Sequence, residues 1–144
     1  LHRHRLDACL IGLKEVNDTR GHKAGDEYIR SACRVICRIF AHSPVFRIGG
    51  DEFAAVLAGG DYENRISLVE LLKNRSLENL SHGEGPVVAV GIAVYDVLND
   101  HRVSDVFDRA DNSMYENKTA LKSGRAAENP AAPEKVREQI QNLE

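Results

Sequence analysis

The sequence predicts an α+β domain, a mainly antiparallel sheet flanked by helices, and three observations carry that prediction. Two apolar runs, the short 6–12 and the β-branched 87–95, read as buried strands. Between them a Gly49-Gly50 pair flanked by apolar runs signals a β-hairpin. The intervening segments carry amphipathic helical spacing. The resulting order is strand, helix, hairpin, helix, strand, helix.

Each element follows from its residues. Residues 1–5 are a basic lead-in, read as a linker remnant, and the strand at 6–12 is apolar apart from Asp7. Residues 14–23 read as turn-rich, with Asn17-Asp18 and Gly21 interrupting any helix. Over 24–40 the positions Tyr28, Ile29, Ala32, Val35, Ile36 and Ile39 keep helical spacing, and His42-Ser43-Pro44 stops it. Hairpin strands follow at 45–48 and 52–57. At the bend, only glycine takes φ > 0 at both central turn positions without steric cost, and it leaves bare backbone open to a ligand. Gly59-Gly60-Asp61 reads as a loop, 63–80 as a helix, 81–86 as a turn and 87–95 as a central strand. Val103, Val106, Phe107, Ala110 and Met114 mark a last amphipathic helix reaching residue 121. The Ala- and Pro-rich stretch 126–133 reads as a linker and 134–144 as a short polar helix. The expected division is therefore a domain over 6–125 and a tail over 126–144.

Composition bounds the function. The chain has 144 residues, 42% hydrophobic and 28% charged, which suits one globular domain with a real core. A net charge of −3 offers no polycationic surface for nucleic acid or membrane, so no nucleic-acid partner is expected. No apolar run approaches the ~20 residues of a membrane span, and no signal-peptide pattern opens the chain. Three cysteines at irregular spacing argue against a disulfide framework and suit a cytoplasmic domain. Cys33 and Cys37, four apart on a predicted helix, read as small core-facing thiols rather than a metal pair.

The chemistry concentrates after the bend. Asp51 and Glu52 are adjacent carboxylates, and strand alternation sends one to each side. Gly-Gly-Asp-Glu by itself reads as a solvated acidic turn; further blocks change that. Gly49-Gly50-Asp51-Glu52-Phe53 is accompanied, in a fixed order, by Leu13-Lys14-Glu15-Val16-Asn17-Asp18, Gly21-His22-Lys23-Ala24-Gly25-Asp26 and Ala110-Asp111-Asn112-Ser113-Met114-Tyr115-Glu116-Asn117-Lys118. With these four blocks the chain resembles the GGDEF family, the diguanylate cyclase domains, over 6–125.

The resemblance implies a palm-like core related to ferredoxin-like folds. It also implies condensation of two GTP molecules into cyclic di-GMP with release of pyrophosphate. A triphosphate carries about four negative charges, so an acidic site holds it through Mg2+ or Mn2+ bound by carboxylate and phosphate oxygens. By resemblance Asp51 is a metal ligand and catalytic acid, Glu52 the neighbouring catalytic acid, and the Leu10 backbone a further ligand. Which acid assists deprotonation of the ribose hydroxyl stays open. Asp26 is the carboxylate for the guanine edge, Asn17 its companion amide, and His22 lies near the ribose. A guanine edge offers two adjacent donors to an acceptor-only carboxylate, whereas adenine would leave that carboxylate unpaired. Gly49 and Gly50 border the substrate, while Lys14, Lys118 and Lys122 hold phosphates, helped by an anion nest at the Gly12 and Leu13 amides. Taken singly, Asn17-Asp18 is turn chemistry, Asp26 a first-turn acid and the lysine pair solvated surface.

Two departures from the family pattern matter. Counting eight residues back from Asn17, where the family places an aspartate shared by two metal ions, gives Cys9. A thiol with a pKa near ~8.5 is soft and mostly protonated at neutral pH, whereas magnesium prefers hard oxygen. The loss is one charge and one ligand together, with an expected fall in turnover of ~10²–10³. Asp7, on the same strand face but ~6–7 Å away, is not expected to substitute. The family's inhibitory Arg-x-x-Asp product site falls on Phe40 and Ser43, so no product binding is expected there. Two readings remain open: a working or weakened cyclase, and a catalytically degenerate GTP-binding or protein-interaction module. Synthesis requires two domains face to face, hence a homodimer, and a sensor or other signalling domain is the expected fusion partner.

Overall fold

The structure, a computed structural model, describes residues 4–128. Strand β1 (His4–Leu10) is flanked in the sheet by β3 (Glu52–Val56) and β4 (Val88–Val94), with β2 (Val45–Arg47) outermost. The order is β2-β3-β1-β4 and every pairing is antiparallel. Cys9 stands opposite Glu52 on one side and Ala89 on the other.

Alternation along β1 sets the layering. Leu6, Ala8 and Leu10 join Phe53, Ala55, Val88 and Val90 in the main core. Helices α2 (His22–Ile39) and α4 (Arg65–His82) close that core with Ala32, Ile36, Val69 and Leu72. On the opposite face Cys9 and Ala89 pack with Met114 and Leu121 of α5 (Val103–Glu128). Ala93, Val106 and Ala110 continue this second layer. The fold is thus an antiparallel α+β arrangement, as the element order predicts.

The approach of α5 to the sheet is unusually close at one residue. A Cβ on Gly91 would lie 2.0 Å from the Met114 nitrogen, 2.5 Å from the Ser113 carbonyl carbon and 2.6 Å from the Ala110 oxygen. Ala89 and Ala93 flank Gly91 on the same face, so a stripe of small residues seats the helix backbone directly on β4. As the sheet's outer strand, β4 also has backbone groups to satisfy. The Val90 amide donates to Asn117 Oδ1 at 2.8 Å. The buried Ser76 hydroxyl donates to the Val88 carbonyl and accepts from the Val88 amide, both at 3.0 Å.

Several elements differ from the sequence reading. Residues 14–23 are mostly helical: α1 runs Leu13–Arg20. Gly12 (φ 82°) and Gly21 (φ 86°) bend the chain at its two ends, while Asn17 and Asp18, read as breakers, lie inside the helix. Neither Gly49 nor Gly50 has positive φ. The bend is a longer loop over 48–51, in which the Ile48 and Gly49 amides both donate to the Glu52 carbonyl at 2.9 and 3.4 Å. Spreading the reversal over more residues removes the need for a tight glycine turn. Gly59-Gly60-Asp61 begins a one-turn helix, α3 (Gly59–Glu63). Its buried Asp61 accepts from the His42 amide at 2.8 Å and the Ser43 hydroxyl at 2.7 Å, which supplies the order that the composition does not signal. β1 takes in His4 and Arg5 of the supposed lead-in, because both pair across to β4. α5 continues to Glu128 into the expected linker. The expected helix over 134–144 lies outside the described residues. Cys37 is exposed, not core-facing, because its helix position falls at the edge of the buried stripe.

Replacing Gly91 by alanine should destabilise the domain by roughly 3 kcal/mol or more, since the added methyl meets helix backbone that cannot rotate away. Urea denaturation of the variant and parent measures this. A loss below about 1 kcal/mol would mean that α5 rides higher on β4 than described.

Candidate active site at the ends of β1 and β3

The C-terminal end of β1 is held on several sides. The Leu10 amide donates to the Asp51 carbonyl at 2.7 Å, tying the strand end to the hairpin loop. The Ile11 amide donates to the Val87 carbonyl at 2.8 Å, and Tyr28 Oη donates to the Ile11 carbonyl at 2.7 Å. Gly12 then turns the chain into α1. This pinned segment forms one wall of a cavity of about 560 Å3. Asp51, the Leu10–Lys14 segment and Lys118 and Lys122 of α5 line it together, with Glu15, Asp18 and Thr19 of α1.

Lys118 and Lys122 share one face of α5, a turn apart. Their placement depends on the Gly91 contact and on Asn117, which binds β4 from the residue next to Lys118. Three lysines therefore border a cavity in which Asp51 presents a carboxylate. Cys9 lies behind this group, 2% exposed. Burial, and then the negative charge of Asp51, push its thiol up to about 11, against a smaller opposing pull from Lys118. At neutral pH Cys9 is therefore a protonated thiol, and it sits 3.8 Å from the Leu10 carbonyl.

Glu52 opens onto a second, smaller cavity of about 260 Å3, lined also by Asp7, Phe107, Asp108 and Asp111. Asp7 is only 6% exposed and accepts from Arg5 Nε at 2.8 Å. The Arg5 guanidinium lies 3.7 Å over the Phe107 ring. Burial raises the Asp7 carboxyl above its ordinary value, Arg5 opposes that rise, and the Asp111 charge adds to it. Asp7 is thus committed to Arg5 and belongs to a different cavity from Asp51.

The structure brings together Leu10, Lys14, Asp51, Lys118 and Lys122. It separates Glu52 from them by cavity. Asn17, His22 and Asp26 cluster near the α1–α2 junction and line neither cavity. Asp26 and His22 are exposed, and Asn17 is half-buried with its side chain against Gly25, where a Cβ would lie 1.7 Å from Asn17 Oδ1. Gly49 and Gly50 sit in the exposed loop. Arg47, which sequence reasoning passed over, braces that loop by donating to the carbonyls of Gly49 at 3.1 Å and Gly50 at 2.9 Å. Tyr28 and Asn117 were likewise legible only as a helix apolar position and a motif member. No spacing rule announces that either will bond to a strand.

These features define a class: an α+β domain whose acidic hairpin faces a lysine-bearing helix at one end of an antiparallel sheet. The chain belongs to the GGDEF family, described as diguanylate cyclase, GGDEF domain, which matches residues 10–124. It is 31% identical over 113 residues to the probable diguanylate cyclase DgcT of Escherichia coli, covering 73% of this chain and 25% of DgcT. The chain therefore spans about a quarter of that relative's length. Its fold is similar to the active GGEEF domain of a diguanylate cyclase from Vibrio cholerae, with a TM-score of 0.68 and 25% identity over 81% of this chain and 76% of that one. It is also similar to the GGDEF domain of DgcB from Caulobacter crescentus in complex with c-di-GMP, with a TM-score of 0.63 and 25% identity over 81% and 71% of the respective chains. No helix among the described residues is long and apolar enough to cross a membrane.

The burial and raised pKa of Cys9 make it a poor nucleophile. Under native conditions at pH 7.5, iodoacetamide should label Cys37 at least ~100-fold faster than Cys9. Peptide mass spectrometry over a time course reads both rates, and comparable rates would contradict the described environment of Cys9.

Proposed function

We propose that this domain binds GTP and serves cyclic di-GMP synthesis at a rate lowered by Cys9. The observation that carries the reading is the gathering of Asp51 and three lysines around one cavity at the ends of β1 and α5. Lys14, Lys118 and Lys122 offset triphosphate charge, and the cavity places Asp51 within the same enclosure. Asp51 and the Leu10 carbonyl are hard oxygen donors of the kind that hold Mg2+ or Mn2+. Among the described residues, no group of three or more His, Cys, Asp and Glu side chains forms a metal cage. That donor set suits an ion that takes one or two protein oxygens and draws the rest from phosphate and water. When bound, such an ion neutralises phosphate charge. The neutral Cys9 thiol contributes neither charge nor hard oxygen, which argues against a second ion sharing that position.

Base selection falls to Asn17 and Asp26. Gly25 supports this assignment, because only a residue without a side chain leaves the Asn17 amide its place against α2, one residue before Asp26. Glu52, on the smaller cavity, is outside the phosphate-binding set, and its part in catalysis is not assigned. Since each domain offers one such cavity, synthesis pairs two domains as a homodimer. The limited span of the match to DgcT supports attachment to a further signalling domain, and the free cysteines suit a cytoplasmic setting. A second reading, a GTP-binding module without turnover, is favoured by the protonated Cys9 alone.

Cys9→Asp discriminates between these. The variant should form cyclic di-GMP ~10²–10³-fold faster than the parent with Mg2+, product being identified by chromatography. Without divalent ions it should melt lower than the parent, because a buried carboxylate then faces Asp51, and added Mn2+ should restore its Tm. Equal rates would overturn the role given to Cys9, and GTP binding with no product from either protein would establish the second reading.

Gly25→Ala tests the base-recognition half. The overlapped atoms are the end of a flexible side chain, so the fold should survive with Tm nearly unchanged while Asn17 is displaced. GTP affinity should fall and the preference for GTP over ATP should shrink, as isothermal titration with each nucleotide would report. Unchanged discrimination would remove Asn17 from the base site.

A further inference from the structure

Helix α2 carries two thiols that the nucleotide site does not use. Cys33 and Cys37 stand one turn apart on the same helix face, with their Sγ atoms 3.9 Å from each other. Cys33 is half-buried against the main core, and Cys37 is exposed. A regular helix does not let them close a disulfide: Cβ atoms at this spacing lie ~5–6 Å apart, whereas a disulfide needs ~3.5–4.5 Å. The two sulfurs are therefore held side by side, reduced, with one of them open to solvent.

That geometry accepts an ion. Two metal–thiolate bonds of ~2.3 Å meeting at one centre span sulfur separations up to ~4.6 Å. The observed 3.9 Å falls inside this range without moving the backbone. Soft sulfur donors select soft d10 cations, copper(I) among them. Structural zinc asks for four donors, and among the described residues no third His, Cys, Asp or Glu completes a larger cluster here. Copper(I) is satisfied by few ligands.

We propose that Cys33 and Cys37 form a two-thiolate site for copper(I). As the ion enters, each Sγ–H bond breaks and an Sγ–Cu bond forms; both protons leave to solvent and the copper stays monovalent. Burial and the adjoining Cys33 sulfur raise the Cys37 thiol, so the ion displaces protons instead of meeting a preformed thiolate. Cys9, beneath α5 on the opposite face of the sheet, takes no part.

Anaerobic titration of the reduced 144-residue chain against copper(I) bicinchoninate tests the site. The parent should withdraw one equivalent of copper from the chelator. Cys37→Ser should withdraw none while keeping the parent's Tm, because that side chain is exposed; Cys33→Ala should behave likewise in the titration. Zinc(II), assayed with its own chromogenic chelator, should bind at least ~100-fold more weakly than copper(I). Failure of the parent to withdraw copper, a full equivalent retained by Cys37→Ser, or tighter binding of zinc than copper would each overturn the proposal.

Discussion

The backbone of α5 rests on β4 at Gly91, and the rest of the molecule is arranged around that contact. Helix atoms from Ala110 to Met114 occupy the space that any side chain at position 91 would need. With Ala89 and Ala93 equally small on that face, the helix comes down close enough for Met114 and Leu121 to bury Cys9. Asn117 can then reach an outward-facing amide of the strand. Because the helix continues unbroken beyond this point, the height and rotation fixed at Gly91 are passed along it to Lys118 and Lys122. A packing decision in the sheet thus becomes an electrostatic decision at the cavity.

The same face of the sheet holds two kinds of polar group, separated by what covers them. Toward the end of β1, Asp51 shares a cavity with three lysines. Toward the middle, Asp7 is held in low dielectric by Arg5, with Glu52, Asp108 and Asp111 bordering the smaller cavity. Cys9 lies between the two. It is a buried neutral thiol that lines neither cavity. The adjacent carboxylates of the hairpin consequently serve different enclosures despite being consecutive in the chain.

Some of this was legible in the residues. The strand and helix order followed from apolar periodicity, because burial on one face imposes a period of 2 on a strand and 3.6 on a helix regardless of topology. That Lys14, Lys118, Lys122 and Asp51 share one cavity was recoverable from motif order, since a family motif preserves contacts that spacing alone does not explain. What failed were the inferences drawn from breaker residues. Asn17-Asp18 and Gly21 read as disruption over 14–23, yet Asn17 and Asp18 lie within α1 and Gly21 marks its end. The Gly49-Gly50 pair read as a tight turn, yet Arg47 and the Glu52 carbonyl hold a wider loop in which neither glycine takes positive φ. In both places the neighbouring hydrogen bonds, and not the presence of glycine alone, decided the local structure.

The sequence by itself determined the family, the α+β class, the face each strand residue takes and the presence of a thiol at position 9. These depend on residue identity and local period, which a one-dimensional reading contains. Only the tertiary structure decided which charged groups share a cavity, that Asp7 belongs to Arg5 and not to Asp51, that Gly91 is the seat of α5, and that Cys37 faces outward beside Cys33. Those outcomes depend on how side chains meet in space, whether they are two residues apart, as Arg5 and Asp7 are, or on separate elements, as Gly91 and α5 are. Close-packed contact between distant elements is not encoded in any short window.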